Sequence, residues 1–200
     1  IEKMSYLGGT PTAGLVDPIS GGYHKGKRVL GGVGWEFVER LVAAGAGQVE
    51  LPKGHVSSDP EYYKLLAQRM VLEAGVELYT NTVVSACQMA DGRVTHVLIE
   101  SKDGLQALAA GTVIDATGDG DVAALSGCGF DWGDADGHVQ PLSMLGLVTG
   151  ARFEEVEDCV LWNGRKTRRA SKRNLIAEIR RGGFEASYKM PCLFLLHDDL

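Results

Sequence analysis

Apolar residues recur at helical spacing in three stretches of the chain. Over 34–44, Phe37, Val38, Leu41 and Val42 would line one side of a helix, and Gly45 and Gly47 would end it. Over 59–74 the helix signals agree at both ends. Asp59 is a good N-cap, Pro60 suits the first helical position, and Glu61 lies at the positive end of the helix dipole. Tyr62, Leu65, Leu66, Met70 and Leu72 supply its apolar face, and Gly75 stands where a helix C-terminus favours a left-handed residue. In the third stretch, 165–181, Leu175, Ile176 and Ile179 make an amphipathic helix that Gly182-Gly183 stops.

Between the second and third stretches the period shortens to two. Val76–Tyr79 predicts a short strand, so that helix, glycine and strand form half of a βαβ crossover. An antiparallel meander is expected over 82–109. Its strands lie near 82–89, at Arg93–Glu100 and near 105–109. Asp91-Gly92 makes the first turn and Lys102-Asp103-Gly104 the second. Thr112–Ala116 reads as a fully buried strand, followed by Thr117–Asp121 and a short helix from about Val122. Leu145–Thr149 is a further candidate strand, and residues 4–34 read as glycine-rich, extended and irregular.

Composition narrows the class. The chain has 200 residues with 44% hydrophobic and 23% charged, the mix of a soluble protein with a real core. Its 27 glycines are about twice the usual share of ~7%. They fall in loops, which suits tight turns or close approach to a ligand, or else a loop-rich domain with none. A net charge of −6 argues against a general nucleic-acid binder. Cys87, Cys128, Cys159 and Cys192 show no C-x-x-C pair and no zinc spacing, so no metal is expected. They read as buried or incidental thiols of a reducing compartment, and a cytoplasmic location follows as an expectation. No apolar run reaches membrane-spanning length, and no signal peptide is visible, although the chain starts at Ile1.

Gly118-Asp119-Gly120-Asp121-Val122-Ala123 fits G-x-G-x-x-A, the dinucleotide fingerprint, in the right place after a strand and before a helix. Asp119 and Asp121 count against it, because two carboxylates would compete with a diphosphate for the helix N-terminal amides. The acid required about 20 residues on has one counterpart, Asp136, but Trp132–His138 is polar and glycine-rich. Three readings stand: the fingerprint itself, a structural turn capped by Asp119 or Asp121, and a turn passing close to a cofactor held elsewhere.

Ile1-Glu2-Lys3 followed by Leu7-Gly8-Gly9-Thr10 resembles the end of the second Rossmann strand of FAD-dependent oxidoreductases. Asp59-Pro60-Glu61, Glu73–Leu78, Thr82-Val83-Val84, Asp91–Val94 and Ile114–Asp121 follow in order. Together they resemble the FAD-dependent oxidoreductases related to the fumarate reductase and succinate dehydrogenase flavoproteins, over roughly residues 1–150. The resemblance implies an α/β fold. This would be an incomplete Rossmann-like FAD-binding domain with an inserted meander, at 1–130, and part of a substrate or cap domain at 131–200. It implies FAD as cofactor and a small-molecule substrate. Glu2, with Lys3 beside it, would hold the adenosine ribose. Gly8, Gly9 and Thr10 would lie along the diphosphate and ribitol. Val84 would meet the adenine through its backbone, and Thr117, Gly118 and Asp119 would form the turn under the cofactor. It further implies a G-x-G-x-x-G loop about 20 residues before Glu2, so a chain starting at Ile1 is expected to lack it.

Catalytic residues are unassigned, because the flavin carries the chemistry. Candidate proton carriers are His24, His55 and His138, against the plainer reading of loop histidines. His138 and Gln140, in the Gln140-Pro141 segment, are the expected substrate-side residues. His96 reads as structural, and His197 matches nothing. Eight of the 20 basic residues fall in 165–181, including Arg165, Lys166, Arg168 and Arg169. A solvated helix, an RNA-binding stripe, or a carboxylate clamp by Arg180 or Arg181 are the readings. A non-catalytic remnant of the fold is the alternative to an enzyme. A homo-oligomer is compatible with either.

Overall fold

The computed structural model describes residues 1–16, 19–50, 55–161, 168–186 and 190–194. In chain order the elements are β1 (Tyr23–His24), β2 (Lys27–Arg28), α1 (Gly32–Ala43), β3 (Gly47–Glu50), β4 (His55–Ser58), α2 (Pro60–Glu73), β5 (Val83–Ala90), β6 (Arg93–Ser101), β7 (Gly104–Ala109), α3 (Asp121–Leu125), α4 (Phe153–Val156) and α5 (Arg168–Arg181). Helices and small antiparallel sheets are mixed, which is consistent with an α/β chain. The chain divides into two compact units, Ile1–Gly8 with Ala67–Met144, and Gly9–Leu66 with Leu145–Leu200. The boundary expected at residue 130 falls inside the first of these.

The first unit is built on the meander, in the order β5-β6-β7. Asp91 and Gly92 both take positive φ, the conformation a two-residue hairpin turn with matching twist demands. Val97 and Ile99 of the central strand β6 are buried on alternate positions. β5 stands at the sheet edge and bulges between Val84 and Ala86. Short α3 packs on β5, with the Cys87 thiol 4.0 Å from the Val122 carbonyl.

The second unit has its core under α1. Trp35, Val38 and Val56 form it, with Ile19, Tyr23, Leu30 and Val49 packed around them. β3 and β4 pair antiparallel, and Ile19 exchanges two backbone bonds of 2.9 Å with Val56. Arg28 lies 4.9 Å over the Trp35 ring and 3.5 Å from Glu39, so the core tryptophan is roofed by a paired cation. Helix α2 begins in the second unit and ends in the first; at its start Asp59 accepts the amides of Glu61 and Tyr62 at 2.7 and 3.0 Å, the N-cap expected of it. Gly75 ends this helix in a Schellman motif, with Gly75 N–H on the Leu72 carbonyl and Val76 N–H on Val71.

Several expectations are corrected. The buried stripe of α1 is Trp35, Val38 and Leu41; Val42 is exposed because the core lies on the side three residues, not four, from Val38. Leu65 and Leu72 of α2 are exposed, and Leu66 is the side chain that buries. Val76–Tyr79 forms no ladder: Glu2 bonds to Tyr79 and Thr82, but Asn81 takes a left-handed φ of 51° and breaks the register. Thr112–Ala116 is not a strand, and neither is Leu145–Thr149. Ile114 is 85% exposed, since no described strand lies beside it to take its ladder bonds and cover its face. The parallel sheet that a Rossmann-like domain is built on is likewise not seen among the described residues, whose sheets are antiparallel.

Candidate functional site

The turn after residue 114 is held from within. The Asp115 carboxylate accepts Thr117 N–H at 3.0 Å and Thr117 Oγ1–H at 2.8 Å through Oδ1, and Ala123 N–H at 2.9 Å through Oδ2. Thr117 Oγ1 in turn accepts the amides of Gly120 and Asp121, both at 3.0 Å. These bonds stabilise the ionised form and hold the Asp115 carboxyl below the usual carboxylate range; the amides of Thr117 and Ala123 contribute most.

This network decides how the glycine motif is used. Gly120 is the N-cap of α3 and no side chain caps it directly, so neither Asp119 nor Asp121 does the capping. Asp115 and Thr117 do, across the loop. The sequence signal was present as D-x-T followed by T-x-x-G, an Asx-turn feeding a hydroxyl cap. An arriving diphosphate would find the Gly120 and Asp121 amides already bonded to the Thr117 hydroxyl and the Ala123 amide to the Asp115 carboxylate, the wrong arrangement for a phosphate loop. By contrast, the amides of Gly118 and Asp119 have no acceptor among the described residues. Gly118 and Gly120 take φ of 86° and 75°, and a Cβ built on either would meet only open space. The backbone here is bare and outward, and a flat ligand can approach it closely.

Glu2 lies beside the start of β5. Its N–H donates to the Tyr79 carbonyl at 2.7 Å, and Thr82 N–H donates to the Glu2 carbonyl at 3.0 Å. Its Oε1 accepts Met4 N–H at 2.8 Å, and its second carboxylate oxygen has no partner among the described residues. Val84 follows two residues after Thr82 on the edge strand, paired with Ile99 on one side. From Thr82 to Cys87, where α3 packs, β5 runs five residues, roughly 16 Å. One strand of the first unit thus connects the Glu2 pairing to the Asp115 turn. Lys3 is exposed beside Glu2.

Gly8 belongs to the first unit, Gly9 and Thr10 to the second. Gly8 and Gly9 have φ of 119° and 58°. Gly9 opens a tight turn whose carbonyl accepts Thr12 and Gly14 N–H at 3.1 and 3.2 Å, with Thr12 buried beneath.

His138 and Gln140 are exposed. Asp134 organises the turn before them, accepting Asp136 and His138 N–H at 2.9 Å each, and its carboxyl is held low by those two bonds. His138 Nδ1 lies 3.4 Å from Asp134. His55 Nδ1 lies 3.0 Å from Ser20 Oγ, His24 is exposed at the end of β1, and His96 sits in β6 beside Thr95. His197, Arg165 and Lys166 lie outside the described residues.

The chain matches the FAD dependent oxidoreductase family over residues 1–191. It belongs to that family. FAD is therefore its cofactor, and oxidoreduction its general activity. Comparisons with curated proteins and with solved structures gave no match. The first unit's residues fit a flavin dinucleotide in chemical type: a carboxylate oxygen open to a ribose hydroxyl at Glu2, an edge strand at Val84, and two uncommitted amides on a glycine turn.

Proposed function

We propose that this chain contributes the adenosine-side and turn contacts of an FAD site in an oxidoreductase acting on a small-molecule substrate. The isoalloxazine supplies the redox chemistry when bound. The open carboxylate oxygen of Glu2 accepts a ribose hydroxyl of the adenosine, with Lys3 alongside. The Val84 backbone, on the free edge of β5, meets the adenine. Thr117, Gly118 and Asp119 carry the cofactor, with the open amides of Gly118 and Asp119 towards it, on a turn that Asp115 holds in shape. Gly8, Gly9 and Thr10 run along the diphosphate and ribitol. His138 and Gln140 face the substrate, and His138 is the group suited to move a proton near neutral pH.

The observation that carries this reading is the Asp115 network. It satisfies the helix N-terminus internally and leaves the Gly118 and Asp119 amides outward. That supports a turn serving a cofactor held elsewhere over a phosphate loop at the same glycines. The test is a titration of FAD into the protein and its Glu2→Gln variant. Hydrogen bonds to a charged group contribute about 1.5–3 kcal/mol, so the variant should weaken FAD binding roughly ten- to hundredfold. Equal affinity in the two would remove Glu2 from the ribose.

A further inference from the structure

Four cysteines stand far apart in the sequence, and the second unit brings two of them into register. Val160 and Leu193 form a parallel bridge, and Leu161 N–H donates to the Leu193 carbonyl at 2.9 Å. The residues one step before the two bridge partners are Cys159, in the helical turn that follows α4, and Cys192, so each cysteine is one residue from the point where the two segments meet. Paired backbones run about 4.8 Å apart at such a bridge. A disulfide needs its two Cα atoms roughly 4.4–6.8 Å apart. Both cysteines are thiols in the structure, and they differ in access: Cys192 is exposed, whereas Cys159 is buried.

We propose that Cys159 and Cys192 are a redox-modification site that closes to a disulfide by exchange with a low-molecular-weight disulfide such as glutathione disulfide. The exposed Cys192 thiolate attacks one sulfur of the small disulfide, and the other sulfur leaves as a thiolate. Cys159 gives up its proton and attacks Cys192 Sγ, expelling the second small thiol. Two protein thiols and one small disulfide become one protein disulfide and two small thiols. The bond ties the turn after α4 to the segment beyond α5, enclosing α5 in a covalent loop. Cys87 has no such neighbour among the described residues: it sits in β5 against the Val122 carbonyl, and burial, with Asp115 next, pushes its thiol up and slows its reaction. Cys128 is exposed with Ser126 beside it, so it is expected to stop at the mixed disulfide.

The experiment treats the purified, folded protein with glutathione disulfide, blocks remaining thiols by alkylation, and maps peptides without reduction. The expected result is a linked peptide pair carrying Cys159 and Cys192, with loss of both from the alkylated pool. The Cys159→Ser variant should instead accumulate a glutathione adduct on Cys192. Should that variant fail to fold, the unmodified chain with and without denaturant still decides: the 159–192 link should form in the folded protein and lose its preference when unfolded. A stable glutathione adduct on Cys192 of the unmodified chain, or an alkylated Cys159 after treatment, overturns the proposal.

Discussion

The Asp115 carboxylate reaches across eight residues to hold the Ala123 amide at 2.9 Å while its other oxygen holds Thr117. One side chain thereby joins the two ends of a turn rich in glycine, which by itself has little reason to keep one shape. Replacing Asp115 with Ala should release Thr117 and speed amide hydrogen exchange at Gly120, Asp121 and Ala123. Asp115→Asn keeps one carbonyl acceptor and should produce a smaller increase. Equal exchange in all three proteins would mean that the turn is held by something else.

The same carboxylate gives the turn a defined acid response. Its folded pKa is lowered, so its stabilisation is complete above the unfolded aspartate value of about 3.9 and is lost as pH falls through the still lower folded value. The Asp134 turn has the same sign, held by the amides of His138 and Asp136. Protection of Ala123 and His138 amides should therefore show no carboxylate-linked loss from neutral pH down to about 4 and fail below it. An earlier loss, near pH 5, would contradict the direction of both shifts.

Gly47 tests the packing of the second unit. A Cβ there would lie 2.9 Å from Leu41 Cβ and 3.4 Å from the Ser57 carbonyl, between α1 and the β3–β4 hairpin. Gly47→Ala should lower stability by roughly 1–3 kcal/mol in a urea titration, the usual cost of overpacking. Leu41→Ala should cost about 2–5 kcal/mol. Leu41→Gly removes the Cβ that the new methyl would meet, so combining it with Gly47→Ala should cost less than the sum of those two single variants. Strict additivity would show that the two do not meet.

The parts legible in the sequence were those whose partners lie nearby along the chain. The meander announced itself through Asp91-Gly92 and period-two patterning, and α2 through Asp59, Pro60 and Gly75. The pairs β1–β2 and β3–β4 escaped because two- and four-residue strands have no measurable period. Thr112–Ala116 was misread because an apolar run says that burial is wanted but not that a neighbour is present. For the proposed site the sequence offers residue types, Glu2 and the glycine turns, and the doubt that two aspartates cast on the Gly118 motif. Asp115 acts from outside the glycine motif, ahead of the two acids that the motif itself offers. Its partner, Ala123, carries no side-chain signal at all.

The central claim is that this protein carries FAD, and the most direct measurement is the visible absorption of the purified protein before and after added FAD. The account predicts flavin bands that stay with the protein through gel filtration and leave it on heat denaturation. No retained flavin, together with no saturable change on adding FAD, would contradict it.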